Sequence, residues 1–175
     1  MRKNQKARSG ISTAGMTSAL HDLFLDELAD LYSAEKQIIK TLPALIKASQ
    51  SEELRRAFEM HLKETETHAA RLEKAAKSLG TTLGQKNCKG MQGILEDGSD
   101  TIKEQKDKPC LDAILIAAAQ KVEHYEIASY GAVCAWGREM GHEEAVSLLE
   151  VTLNEEKAAD EKLTEIAESL VGTKN

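Results

Sequence analysis

The sequence predicts an all-α chain that folds as an antiparallel four-helix bundle with one long crossover. Three observations favour this class. Apolar residues recur at alternating spacings of three and four over four long stretches, which is the periodicity of one helix face. The 175 residues include only 2 prolines and lack the β-branched alternation of strands. Aromatic residues make up 3% of the chain, so we expect an aliphatic core.

The first two helices are bounded by residues that typically begin or end helices. The first runs from about Thr17 to Ala48, and Pro43 is expected to kink or shorten its last part. The second runs from about Ser51 to Leu79. Ser51 is a typical N-cap and Gly80 is a typical C-terminal stop, so these bounds have a physical basis beyond periodicity.

A long connection over about 80–109 separates the first helix pair from the second. Glycines cluster in it, and it is too long for a hairpin turn. It therefore predicts a crossover that lets the second and third bundle helices run parallel, which is the ferritin-like arrangement. Four apolar residues predict a short helix within it: Met91, Ile94, Leu95 and Ile102.

The third and fourth bundle helices follow this connection. The third runs from about Pro109 to Met140 and is ended by Gly141, and the fourth runs from about Glu143 to Val171. The third helix is apolar on two opposite sides. It is therefore expected either to lie centrally or to face a second chain as well as its own bundle.

The composition bounds the partners and the compartment. The net charge of -6 is unsuited to nucleic acid, because phosphate contacts need a basic surface. No apolar run reaches the length of a membrane span. Residues 1–16 are basic, small and polar, which predicts a flexible tail rather than a signal peptide, ahead of a bundle over 17–172. Three cysteines without paired spacing favour a reducing compartment, so we expect a cytoplasmic protein.

All four predicted helices carry ionisable residues in their apolar seams, near their midpoints. A carboxylate buried alone is costly, and several converging carboxylates repel one another. Two shared divalent cations remove both costs, and carboxylate with imidazole ligation suits iron or manganese. Residues three or four apart share a helix face, which adds Glu64 and Asp160 to the seam residues. The candidate metal ligands are Glu35, His61, Glu64, His68, Glu123, Glu126, Glu156 and Asp160.

Each candidate also has an ordinary structural interpretation. A single seam glutamate often lies at the edge of the core with its carboxylate in water. His61 or His68 alone is more often a hydrogen-bonded core histidine than a ligand. Tyr130, one turn beyond Glu126, is either a hydrogen-bond donor to the site or a core residue, and we favour the core role. The coincidence of ionisable residues on all four seams favours the metal site.

Several segments resemble a known family. The matching stretches are Leu31 to Gln37, His61 to Thr65, Glu123 to Tyr130, and Asn154 to Lys157 with Asp160. Together they are similar to the YciE/YciF family of stress-associated, ferritin-like bacterial proteins, and Glu123 to Glu126 also resembles the third helix of rubrerythrin-like proteins. The resemblance covers about residues 17–171.

This resemblance implies a ferritin-like fold, a homodimer and a di-iron-type site. It carries over Glu35, Glu64, Glu123, Glu126 and Glu156 as ligands and includes His61 in a matching motif. The sequence departs from the rubrerythrin pattern at two positions. Thr65 stands where a pair with His68 needs glutamate, and Ala159 stands where a pair with Glu156 needs histidine.

Two hypotheses follow. In the first, the protein binds two iron or manganese ions, acts in stress protection and uses dioxygen or peroxide, a small oxidant, with Glu123 or Glu126 as the bridging carboxylate. In the second, it is a non-enzymatic, dimeric helical stress protein with a vestigial site. Iron storage and a manganese-catalase activity are further alternatives. Whether the protein is an enzyme stays open at this point.

Overall fold

A computed structural model describes residues 13–172, and all of its regular elements are helices. The all-helical prediction is confirmed. Four helices are long, and the shorter α3 lies in the connection between the second and third of them. In chain order the helices are α1 (Thr13–Ala48), α2 (Glu52–Ser78), α3 (Lys89–Gln105), α4 (Leu111–Glu139) and α5 (Glu143–Gly172).

The bounds differ little from the sequence-based prediction. Helix α1 begins at Thr13, so Thr13 to Met16 of the predicted tail are helical, and residues 1–12 lie outside the described part of the chain. Pro43 does not end α1, which continues to Ala48. None of the described helices combines the length and the hydropathy that a membrane span requires.

Two glycines end helices as predicted. Gly80 has φ 73° and Gly141 has φ 72°, a left-handed conformation that glycine adopts without steric cost. In both turns the next amide donates back into the helix, from Thr81 to the Ala76 carbonyl and from His142 to the Gly137 carbonyl. These hydrogen bonds satisfy carbonyls at the ends of α2 and α4 and fix the following turns.

The four long helices pack around a common interior, through contacts between α1 and α2, α2 and α5, α4 and α5, and α1 and α4. Helix α1 runs opposite to α2, since Tyr32 donates a hydrogen bond to Glu73 while Glu35 lies near His68. Hydrogen bonds from Lys162 to Glu53 and from Arg71 to Thr152 give α2 and α5 opposite directions in the same way.

Helix α3 covers the second apolar side of α4. It contacts α4 and, to a smaller extent, α1. Met91 of α3 is fully buried in the same cluster as Leu115 and Val122 of α4. The second apolar side of α4 is therefore covered by α3 of the same chain, which gives α4 a central position.

A buried aspartate joins the end of α1 to the start of α2. Asp112 accepts hydrogen bonds from the backbone amides of Gln50 and Ser51 at 2.8 and 2.7 Å, and its side chain is buried. The Ser51 hydroxyl accepts from the Leu54 amide, as the N-cap prediction requires. The carboxylate of α4 thus holds the α1–α2 turn in place.

Candidate metal centre

The two apolar clusters of the core are separated along the long helices by a layer of buried ionisable side chains. One cluster contains Phe58 and Leu115, and the other contains Phe24 and Leu149. Between them, every long helix contributes at least one ionisable residue, each at most 6% exposed. The layer consists of Glu35 from α1, His61 and His68 from α2, Glu123 and Glu126 from α4, and Glu156 from α5.

Helical spacing explains why these side chains meet. His61 and His68 are two turns apart on the inner side of α2, and Glu123 and Glu126 are one turn apart on α4. Their ligand atoms form two groups, each with all atoms within 4.8 Å of one another. One group is His61, Glu123, Glu126 and Glu156, and the other is Glu35, His68 and Glu156. Glu156 belongs to both.

His68 is held between two neighbouring carboxylates of α5. Its Nδ1 atom lies 2.7 Å from Oε1 of Glu156, inside the layer. Its Nε2 atom lies 3.0 Å from Oε2 of Glu155, outside the layer. Glu155 is in turn paired with Arg71, whose Nη2 lies 3.0 Å from Oε1. The imidazole therefore directs one nitrogen into the layer while an outer ion pair fixes the other.

His61 and Glu35 are oriented from other sides. Nε2 of His61 lies 3.4 Å from Oε1 of Glu123, and Nδ1 lies 3.7 Å from Glu64. Tyr130 is fully buried and donates a hydrogen bond of 2.5 Å to Oε1 of Glu35. Tyr130 therefore combines the two roles that the sequence left open, because it packs in the core and holds a carboxylate of the layer.

The layer is rich in polar atoms that lack hydrogen-bond partners. Nine such buried side-chain atoms are found among the described residues, and all belong to these six side chains. Neither oxygen of Glu126, neither oxygen of Glu156 and neither nitrogen of His61 has one. Natural cores satisfy most buried polar groups. This concentration of unpaired carboxylate and imidazole atoms is therefore typical of a site that binds cations.

Burial and mutual repulsion shift the pKa values of the carboxyls. Burial, followed by the charges of Glu35, Glu156 and Glu123, raises the pKa of Glu126 well above its ordinary value. Burial also raises the pKa of Glu123, although the charge of His61 opposes it. For Glu156, burial is outweighed by the close approach of His68 and by the charges of His61 and His68, and its pKa is lowered.

The two histidines are shifted in the opposite sense to ordinary buried imidazoles. Burial lowers the pKa of His61, but the charge of Glu123 and the nearby carboxylate of Glu64 outweigh it and raise the pKa to about 9. For His68, Glu156 and Glu35 outweigh burial and raise the pKa to about 10. Both imidazoles therefore carry a proton at neutral pH when only the protein's own groups are considered.

Two of the eight sequence-based candidates lie outside both groups. Glu64 contacts His61, but its side chain is 36% exposed at the edge of the layer. Asp160 accepts a hydrogen bond from Gln120 and lies 3.2 Å from Nε2 of His124, facing α4 on the outside. The structure therefore places neither residue where the sequence-based pairs with His68 and Glu156 would put it.

The sequence reasoning missed Glu155 and Arg71. A signal was available, because Arg71 follows His68 by one helical turn and Glu155 directly precedes Glu156. The pairing across α2 and α5 depends on how the helices meet, which the spacing along one helix does not show.

A cavity of about 120 Å³ opens on the layer between α2 and α5. His61 and Glu123 form its inner end, while Glu64 and Glu155 lie among its other lining residues. Ala159 lines it at the position where the rubrerythrin pattern has histidine. The small side chain leaves open the space that an imidazole would occupy.

Comparisons of the sequence and of the structure with known proteins match the same family. The family model described as domain of unknown function DUF892 matches residues 19–175. Protein YciF from Escherichia coli K12 is 41% identical over 156 residues, or 89% of this chain and 94% of YciF. The crystal structure of that E. coli stress protein matches with a TM-score of 0.85 over 89% of this chain and 98% of its own.

Two further solved structures extend the comparison. YcfI from Rhodopseudomonas palustris is 40% identical, with a TM-score of 0.81 over 90% of this chain and 97% of its own. A dodecameric thioferritin, the bacterioferritin-related protein from Bacteroides fragilis, is 12% identical, with a TM-score of 0.68 over 93% of this chain and 97% of its own. At that identity the likeness concerns the fold alone, which is ferritin-like. With the family model matching most of its length and a relative of 41% identity, the chain belongs to the YciE/YciF family, described as DUF892.

Proposed function

We propose that the protein is a ferritin-like four-helix bundle that binds two iron or manganese ions in the buried layer and serves in stress protection. One observation carries the proposal: every buried side-chain atom found without a hydrogen-bond partner in the described chain belongs to a ligand-type residue of this layer. Four carboxylates and two imidazoles suit iron or manganese. The naming of the relative YciF as a stress protein supports the physiological setting.

The geometry favours Glu156 as the ligand shared by two ions, since it belongs to both groups. His61, Glu123 and Glu126 would complete one site, and Glu35 and His68 the other. The sequence favoured Glu123 or Glu126 as the bridge, but both lie in one group only. Glu64 and Asp160 are left out of the proposed ligand set.

Reduced iron or manganese would supply electrons to a small oxidant such as dioxygen or peroxide. The protein's own contribution is positioning and exclusion of water. Glu155 accepts the Nε2 proton of His68 and thereby leaves Nδ1 directed at the layer, the arrangement that orients histidine ligands in metal proteins. Tyr130 holds Glu35 by donating a hydrogen bond. The apolar clusters on both sides keep bulk water from the carboxylates.

Elemental analysis of protein purified without chelator tests the proposal. We expect close to two iron or manganese ions per chain after incubation with the reduced metal. Glu156→Gln should lose most of the bound metal, because it removes a charged ligand from both groups. Asp160→Asn is the matched control on the same helix and should bind as the wild type does. Wild-type protein without metal after such incubation would reject the function.

One observation favours the alternative of a vestigial site. The raised pKa values of His61 and His68 give two positive charges that partly neutralise the four carboxylates without any metal. On this alternative, Glu35→Ala and Glu156→Ala would bind no less metal than the wild type, and the folded protein would be unchanged or more stable. The same metal analysis and a thermal melt therefore separate the two functions.

A homodimer is part of the proposal and rests on the family resemblance. The thioferritin of similar fold is a dodecamer, so a cage-type assembly is the competing outcome. Size-exclusion chromatography with light scattering distinguishes the two masses. A dodecamer would redirect the proposal towards iron storage.

A further inference from the structure

An apolar cavity of about 240 Å³ lies on the side of the metal centre opposite the α2–α5 opening. Helices α1, α3 and α4 line it, and it is partly open to the surface, where Ala44 and Lys103 are exposed. The apolar lining is mainly aliphatic, from Leu45, Ile94, Leu95, Ile102, Ala118 and Val122. Among the residues that the structure describes, no Asp, Glu or His lines it, and Lys103 is the one ionisable lining residue. An apolar cavity of this kind holds apolar atoms in preference to ions.

A narrow space lies between this cavity and the ligand layer. It measures about 20 Å³ and shares Thr41, Leu45, Leu95, Ala119 and Val122 with the larger cavity. Its other end is formed by His61 and Glu123, the residues that also close the α2–α5 opening. A volume of this size accommodates about one molecule as small as water. The three spaces therefore line up across the protein, with the candidate ligands between them.

We propose that the cavity among α1, α3 and α4 binds dioxygen and supplies it to the metal centre, an inference that rests on the proposed function. The occupant follows from the lining, since the route needs a molecule that is small, uncharged and apolar. Metal cations and peroxide are polar and are better suited to the α2–α5 opening, where the charged side chains of Glu64, Glu155 and Lys162 lie among apolar lining residues. The two faces of the protein thus admit different reactants.

Xenon is a direct probe of the cavity, because it is apolar and binds such spaces without chemistry. Xenon-dependent shifts of the alanine methyl signals in metal-free protein should saturate at Ala118 and Ala119. Two substitutions fill the cavity from different helices, Ala118→Leu on α4 and Ala44→Leu on α1. Ala117→Leu is the matched control, since Ala117 is exposed and lines none of the three spaces.

We expect xenon affinity to fall about tenfold or more in both filling variants, because leucine adds three carbon atoms to the cavity, and to be unchanged in Ala117→Leu. Ala118 lies close to Gly98 of α3, so a leucine there could disturb the packing of α3. Ala44 is exposed at the rim of the cavity, so Ala44→Leu tests the inference without this risk to folding. Unsaturable xenon shifts in the wild type, or equal affinity in all four proteins, would overturn the inference.

Stopped-flow oxidation of bound iron by dioxygen tests delivery. The filling variants should bind as much iron as the wild type but react about tenfold more slowly at limiting dioxygen, with Ala117→Leu as fast as the wild type. Iron binding with equal oxidation rates in all variants rejects the route alone. Failure of the wild type to bind either iron or manganese rejects both the proposed function and the delivery role, while leaving xenon binding in place.

Discussion

Replacing Glu126 by methionine should make the metal-free protein more stable. Glu126 is fully buried, and neither of its carboxylate oxygens has a hydrogen-bond partner among the described residues. Each unpaired buried polar group costs about 1–3 kcal/mol, and exchange of buried charged groups for apolar ones of similar size has stabilised proteins by about 1–4 kcal/mol. We therefore expect a gain of about 2 kcal/mol for Glu126→Met.

That gain corresponds to a rise in Tm of about 4–8 °C for a domain of this size. Thermal unfolding followed by circular dichroism, after dialysis against a chelator, measures it. The order should reverse with iron(II) or manganese(II) present. Metal at a hundredfold excess over its Kd stabilises a binding protein by about 2.7 kcal/mol per site, and the variant lacks a ligand for one of the two proposed sites.

The control is Thr65→Val, one turn from His61 on α2. Thr65 is also fully buried, but its hydroxyl donates a 2.7 Å hydrogen bond to the His61 carbonyl. Loss of this satisfied bond should cost about 1 kcal/mol, so the apolar substitution alone does not produce the gain. A metal-free Glu126→Met protein that melts below the wild type would refute the reasoning, because it would show that the carboxyl is well accommodated without metal.

Three further predictions address the turn, the pH dependence and the packing. Asp112→Ala should lower the free energy of unfolding by about 3 kcal/mol, since two amides lose a charged acceptor. Urea denaturation measures this loss, and a change below about 1 kcal/mol would contradict the assigned role. Because the pKa values of His61 and His68 are raised to about 9 and 10, their stabilisation is complete below pH 6.5 and is lost as pH rises through those values. The Tm of metal-free protein should therefore fall between about pH 7 and 10. The apparent metal affinity should rise over the same range, because metal displaces the protons. A Tm that does not change with pH would be inconsistent with charged imidazoles. Gly137→Ala should cost about 1–3 kcal/mol, because the new Cβ would lie 2.6 Å from a methyl group of Val146. A Gly137→Ala protein with the Tm of the wild type would contradict this prediction, because it would show that α5 shifts to make room for the new Cβ.

The six residues of the layer were predictable because each lies in the apolar seam of its own helix. A seam position points to the core whatever the neighbouring helices do, so spacing sufficed for Glu35 and Glu156. The same logic explains the two candidates that the structure leaves out. Glu64 precedes the seam residue Thr65, and Asp160 follows Ala159. One residue turns the helix by about 100°, which directs Asp160 to the outside and leaves Glu64 at the edge of the layer.

The sequence pattern could not predict which side chains meet between different helices. The pairing of His68 with Glu155 depends on the relative rotation of α2 and α5. The placement of α3 over α4 depends on which face the connection crosses, and the glycine-rich composition of 80–109 favoured a loop with at most a short helix. The structure instead gives α3 17 residues, because burial of Met91 and its neighbours against α4 stabilises a helix of modest propensity.

The small number of buried residues in α3 affects how readily this helix opens. Helix α3 packs mainly against α4 and α1, contains three glycines, and has two buried residues, Met91 and Gly98. Segments with few buried contacts open at lower free energy than the rest of a domain. Amide protons of α3 should therefore exchange with solvent while those of the long helices stay protected. The helix that lines the apolar cavity is therefore expected to open at a lower free energy than the helices that hold the candidate ligands.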